Sequence, residues 1–144
     1  MIALDTNVLV EIERGEPEIA ARTLAAVVKA GGDGALVVCG VVVAELCAGE
    51  GSSDTLLRFL GAARISVDSN IALNVWLEAG TAFGEYVRRR KTSGGGGTSR
   101  RLAADFVIGA HACTVGALVT SDAAFFRRAF PTLRVIDPRD ETVD

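Results

Sequence analysis

The chain has 144 residues, of which 49% are hydrophobic and 23% charged, with three prolines and a formal net charge of −3. At that size one domain buries roughly two thirds of its extended surface, and the composition excludes a disordered, collagenous or low-complexity protein. The longest uncharged stretches, 34–44 and 106–121, fall short of the roughly 20 apolar residues of a membrane span. The opening Met-Ile-Ala-Leu-Asp lacks the basic and apolar regions of an export signal. A cytoplasmic protein without a membrane partner is expected. Cys39, Cys47 and Cys113 are too few and too widely spaced for a zinc cluster or a disulfide framework and are read as buried thiols. Charge is unevenly spread: Arg88, Arg89, Arg90, Lys91, Arg100 and Arg101 hold six of the fifteen basic residues.

In chain order, Ile2–Leu4 reads as a short strand that delivers Asp5 to its end, and the Thr6-Asn7 pair offers side-chain oxygens to cap the helix that follows. Pro17 suits a helix start, with Ala20, Leu24, Val27 and Val28 as one apolar stripe and Gly31-Gly32 as its stop. Residues 35–39 form an apolar run without alternation, as expected of a strand covered on both faces. A helix is expected from near Val42, although Val41, Val42 and Val43 locally favour a strand. Ser52, with Thr55, Leu56, Phe59 and Leu60 after it, suggests a further short helix, and 65–67 form a minor strand or extended link. Asp68 or Ser69 then caps the longest helix, whose face carries Ala72, Val75 or Trp76, Ala79, Phe83 and Tyr86 or Val87.

Residues 92–99, Thr-Ser-Gly-Gly-Gly-Gly-Thr-Ser, have a flexible-linker composition. They are read as a loop within a single domain of residues 1–144, because the segment after them is too short for a second core. Leu102, Phe106 and Cys113 mark another helix, with Asp105 in its first or second turn. Residues 117–120 form a strand ending at Ser121-Asp122, Phe125, Phe126 and Phe130 begin a helix, and 134–136 form an edge strand. Alternating strands and helices predict a three-layer α/β/α sandwich on a mainly parallel five-stranded sheet.

Asp5 and Asp122 each close a strand, and open α/β sheets bind ligands in the crevice beyond the strands' carboxyl ends. Glu45 and Asp105 stand in apolar surroundings, Val-Val-Val-Ala-Glu-Leu-Cys-Ala and Leu-Ala-Ala-Asp-Phe-Val-Ile-Gly, where a lone acid is costly. Four converging carboxylates repel unless they share protons or hard cations, and Mg²⁺ or Mn²⁺ suits oxygen ligands. Such a cluster activates water against a phosphoryl group without a nucleophilic side chain. Taken one at a time, the same four acids also read as helix caps and first-turn acids.

Leu-Asp-Thr-Asn-Val-Leu at 4–9, Val-Ala-Glu-Leu around Glu45, Asp-Phe-Val-Ile-Gly-Ala-His-Ala from Asp105 and Gly-Ala-Leu-Val-Thr-Ser-Asp-Ala-Ala-Phe ending the strand at Asp122 resemble the PIN-domain nucleases, specifically the VapC-type toxins of type II toxin–antitoxin pairs. The resemblance spans nearly the whole chain. It implies a PIN-like sheet of order 3-2-1-4-5, an acidic metal site at Asp5, Glu45, Asp105 and Asp122, and support from Thr6 or Asn7 and from Thr120. It also implies Mg²⁺ or Mn²⁺ as cofactor, an RNA substrate, a VapB-like antitoxin and a homodimer. Ser121 departs from the pattern, standing where an arginine often precedes the last acid.

The basic segment formed by Arg88, Arg89, Arg90, Lys91, Arg100 and Arg101 is read as an RNA-phosphate rail or as the solvated end of a helix. Tyr86 and Trp76 are read as core or dimer packing, with base stacking as the alternative, and His111 as a packed or surface residue. No Gly-x-Ser-x-Gly, P-loop or Gly-x-Gly-x-x-Gly pattern is present. The expected activity is a metal-dependent endoribonuclease. The alternatives are an inactive RNA- or protein-binding relative and an aspartate-dependent phosphatase using Asp5, in which Asn7 stands where that chemistry needs an acid.

Overall fold

The computed structural model describes residues 1–50, 52–93 and 102–140. The chain runs β1 (Ile2–Leu4), α1 (Thr6–Arg14), α2 (Pro17–Asp33), β2 (Leu36–Cys39), α3 (Gly40–Glu50), α4 (Ser53–Ala62), β3 (Ser66–Asp68), α5 (Leu73–Thr92), α6 (Leu102–Val115), β4 (Ala117–Val119), α7 (Ala123–Ala129) and β5 (Arg134–Ile136). The five strands form one sheet of order β3-β2-β1-β4-β5, and every pairing is parallel. Helices on the two faces complete the three-layer α/β/α sandwich of the PIN-like fold. β1, β2 and β4 are buried along their whole length, which explains their unalternating apolar sequences. Among the described residues no helix is long and apolar enough to cross a membrane.

Several helix boundaries differ from the sequence reading, each for a local reason. Asp5, not Thr6 or Asn7, holds the position before α1, and its side chain makes no capping bond. Helix α2 runs through Gly31-Gly32 to Asp33 and buries Thr23, Ala26, Val27 and Ala30. Leu24 and Val28 of the expected stripe are 48% and 65% exposed, because the small alanine face allows the closer approach to the rest of the fold. Helix α3 follows β2 with no intervening loop, two residues ahead of the expected Val42, so packing overrides the strand preference of its three valines. Helix α5 begins at Leu73 behind Ala72, whereas Asp68 ends β3 and accepts a hydrogen bond from the Asn70 amide at 3.2 Å. Helix α4 follows Ser52 as expected, and the Ser52 Oγ caps it by accepting from the Thr55 amide at 3.4 Å. The three cysteines are free, Cys39 buried and the other two half-buried.

Beneath the acidic end of the sheet sits a cluster of rings. Phe106 has ring centroids of Phe83, Tyr86, Phe125 and Phe130 at 5.3, 5.6, 5.3 and 6.2 Å. Gly109, one turn further along α6, admits Phe130 so closely that a Cβ there would stand 2.1 Å from the ring. Gly116 joins α6 to β4 with a φ of 125°, a backbone state that glycine adopts at little cost.

Candidate active site

The sheet register builds the site. Leu4 pairs with Val119 across the β1–β4 ladder, so Asp5 and Thr120 leave the sheet side by side, and the Asp5 amide donates to the Val119 carbonyl at 3.1 Å. Both residues are buried. Thr120 Oγ1 donates to Asp5 Oδ2 at 2.6 Å and accepts from Asn7 Nδ2 at 3.3 Å and from the Asp122 amide at 3.0 Å. A hydroxyl has one proton and two lone pairs. With both lone pairs engaged, its proton is committed to Asp5, whose Oδ2 must remain an acceptor.

Burial is the largest influence on Asp5 and raises its pKa to about 6 from the ordinary 3.8. The hydrogen bonds from Thr120 and from the Thr6 amide oppose the rise, while the charges of Glu45 and Asp122 add to it. The opposing forces are thus hydrogen bonds alone, and the carboxylate stays burdened by burial and like charge.

Glu45 reaches this end from α3, where Thr6 Oγ1 donates to its Oε2 in a short hydrogen bond. Asp122 is exposed and stands before α7 without capping it. Asp105 is half-buried in the first turn of α6, the helix that packs against β1 and α3. Asp5, Glu45 and Asp122 therefore share one electrostatic neighbourhood. Among the described residues, however, no group of three Asp, Glu, His or Cys side chains is close enough together to hold an ion. The donors are all oxygen, which suits a hard divalent cation, and Mg²⁺ commonly binds through one or two carboxylates while keeping several waters. The donor chemistry fits such an ion, in an open arrangement and not a closed cage.

Glu11 and Arg139, which the sequence reading did not single out, brace the turn after β4 together with Asn7. Glu11 Oε2 accepts from Ser121 Oγ at 2.7 Å and from Thr23 Oγ1 at 2.9 Å. Asn7 Oδ1 accepts from the Ser121 amide at 3.2 Å, and the spacing of Asn7 and Glu11 on one helical face was the available signal. Asp137 follows β5 as Asp5 follows β1, and Arg139 grips it through Nη2 at 2.7 Å while reaching the Ser121 carbonyl at 3.0 Å. Arg139 holds Asp137 below the usual carboxylate range. Two buried strand-end acids thereby differ in surroundings: Arg139 neutralises Asp137 within the chain, whereas no cation offsets the burial of Asp5.

Arg88, Arg89, Arg90 and Lys91 lie on the last turns of α5, whereas Arg100 and Arg101, and residues 94–99 of the expected loop, fall outside the described residues. His111 is packed, 2% exposed, with Nε2 3.1 Å from Asp68 Oδ2.

A parallel sheet of order 3-2-1-4-5 between helical layers places the chain among three-layer α/β proteins with a central first strand, which here is followed by the buried Asp5. Within that class, the PIN domain family profile matches residues 2–131, and the chain belongs to the PIN-domain family. No curated protein matches it in sequence. Among solved structures, a chain of VapBC-1 from nontypeable Haemophilus influenzae superposes with a TM-score of 0.64 at 20% identity, over 96% of this chain and 99% of that one. A chain of FitAcB from Neisseria gonorrhoeae gives 0.58 at 23% identity over 98% and 100%. VapBC2 from Rickettsia felis, bound to a DNA fragment from its promoter, gives 0.61 at 20% over 95% and 98%. At these identities the likeness is one of fold.

Proposed function

We propose that the chain is a divalent-metal-dependent endoribonuclease, the toxin of a toxin–antitoxin pair, with Asp5, Glu45, Asp105 and Asp122 as its acidic site. The observation that carries the reading is the buried Asp5 carboxylate, oriented by Thr120 and loaded with like charge instead of being neutralised. Asp5 and Glu45, fixed by Thr120 and Thr6, would hold a hard cation, with Asp105 and Asp122 as further oxygen donors. When bound, the ion supplies a water of lowered pKa and charge stabilisation at the attacked phosphate. Asn7 holds the Thr120–Asp122 turn in place, so the carboxylates keep their aim as RNA enters.

The alternatives are less well supported. Helix capping does not account for Asp5 or Asp122, which stand at the N-cap positions of α1 and α7 without a side-chain capping bond. A phosphatase needs a proton donor near Asp5, yet the Asn7 amide is committed to Thr120 and Ser121. The direct test incubates purified chain with mixed RNA, with and without Mg²⁺ or Mn²⁺, and maps new ends. New cuts that require the cation support the nuclease, while RNA retention without hydrolysis under every cation supports an inactive binder.

A small antitoxin is expected to silence the enzyme by placing an arginine or lysine among the carboxylates. Its apolar segment has a fitting surface in the groove of about 160 Å³ lined by Leu9, Leu46, Leu56 and Phe59, and the exposed Leu73, Trp76 and Leu77 of α5 offer a separate face to a second copy. Because apolar contact is not screened by salt, the complex should persist at about 0.5 M NaCl, where the Debye length is roughly 4 Å. Sedimentation of the chain alone and with its cognate antitoxin, alongside a cleavage assay, measures both assemblies. A partner that dissociates in salt or leaves cleavage intact refutes this mode of inhibition.

A further inference from the structure

We propose that the groove between the end of α5 and α7 is a single-stranded RNA subsite that stacks one base and holds its flanking phosphates, a proposal that rests on the nuclease reading and extends it beyond the acidic crevice. The groove encloses about 450 Å³ and is lined by Tyr86, Arg89, Arg90, Ser93, Phe125 and Arg128, within the range of about 300–1,000 Å³ usual for small-ligand sites. Two chemistries meet there. Tyr86 and Phe125 form an aromatic wall, their centroids 6.2 Å apart at 74°. Both pack on the buried ring of Phe106, so the wall is held rigid before any ligand arrives.

The cations are arranged around that wall. Arg90 Nη1 donates to Tyr86 Oη at 3.0 Å, and its guanidinium lies 5.7 Å from the Tyr86 ring centroid. Arg89 shares Glu85 at 3.6 Å across an exposed pair, a weak tie. Among the described residues no carboxylate pairs with Arg90 or Arg128. The charges of Arg90 and Arg128, unpaired with any carboxylate among the described residues, beside a fixed aromatic surface, select a ligand with both a flat apolar part and an anionic part, and a nucleotide within a strand has both. Neither a purely apolar ligand nor a bare anion would use the whole groove.

Helix α7 connects this groove to the crevice. Asp122, Phe125 and Ala129 recur at i, i+3 and i+7, along one stripe. At 1.5 Å of rise per residue, the groove residues stand roughly 4–10 Å along α7 from the acid. A strand stacked on Tyr86 and Phe125 therefore continues directly toward Asp122.

The test measures binding in the Asp5→Asn background, in EDTA, so that the outcome does not depend on cleavage. The probe is a single-stranded RNA carrying one 2-aminopurine. Arg90→Gln with Arg128→Gln should raise Kd about tenfold or more and reduce the log-affinity versus log-salt slope by about 1.4, two contacts at about 0.7 each. It should also remove the fluorescence quenching that stacking causes. Arg58→Gln, on the distant surface of α4, should bind as the parent does. Arg128→Gln alone, which breaks no partner contact within the described fold, supplies the same test with a shift of one contact if the double variant unfolds. Unchanged affinity, slope and quenching in a folded variant overturns the subsite. Failure of the nuclease reading would instead show as absent metal-dependent cleavage by the wild type, a separate readout.

Discussion

Asp5→Asn should reduce cation-dependent RNA cleavage about a hundredfold or more while making the metal-free protein more stable at neutral pH. The two effects share one cause, the charge placed in a buried position. An acid whose folded pKa is raised binds its proton more tightly when folded, so its contribution is favourable below the unfolded value near 3.8 and is lost as pH rises through about 6. At 1.36 kcal/mol per pKa unit, full ionisation costs at most about 3 kcal/mol, and the lost charge-assisted bond to Thr120 offsets part of the gain. Urea unfolding in EDTA should show the variant more stable by about 1–2 kcal/mol at pH 7.5, with the two proteins converging near pH 4. A variant less stable than wild type at pH 7.5, or a difference that does not change with pH, contradicts the burdened-carboxylate account.

Phe106→Ala should be the most damaging single truncation in the core. The ring is 1% exposed and is surrounded by four others, so little can collapse into the space it leaves. Deleting a large buried aromatic costs about 3–5 kcal/mol, and at this chain length that corresponds to a fall in Tm of roughly 10 °C or more. Because Phe106 adjoins Asp105 and supports Tyr86 and Phe125, the residual folded protein should also cleave RNA less well. Phe106→Leu should recover most of the stability. A Tm drop of only a few degrees in the alanine variant, followed by differential scanning calorimetry, would falsify the central role of this ring.

The parts of the fold legible from sequence were those with a local cause. Short apolar runs stopping at Asp5 and Asp122 marked two strand ends, because a buried parallel strand tolerates no charge until it leaves the sheet. Thr120 carried no comparable mark: its engagement with Asp5 arises from the β1–β4 register, which no local pattern encodes. The stripe assigned to α2 failed because alanines, chosen for close approach, outcompeted Leu24 and Val28 for the buried face. Asp137 was overlooked because its strand read only as an edge, although it repeats the strand-then-acid pattern of Asp5. The acids of the candidate site were thus visible as types and positions, and Thr6 and Thr120 were named through the family resemblance, while the pairing of each hydroxyl with its acid and the Arg139 clamp on Asp137 required three dimensions.

The separation of Asp5 from Thr120 by 115 residues has a consequence for synthesis. Of the five described strands, β1 comes first in the chain and is the central one in the sheet, bonded to β2 on one side and β4 on the other. A growing chain that has not yet delivered Ala117–Val119 leaves one edge of β1 open and gives Asp5 no hydroxyl to fix it. Such distant pairing is also slow to form. The Asp5–Thr120 pair is therefore among the last features of this domain to be completed as the polypeptide emerges, so the ribosome, itself built of RNA, has made most of the domain before that pair exists beside it.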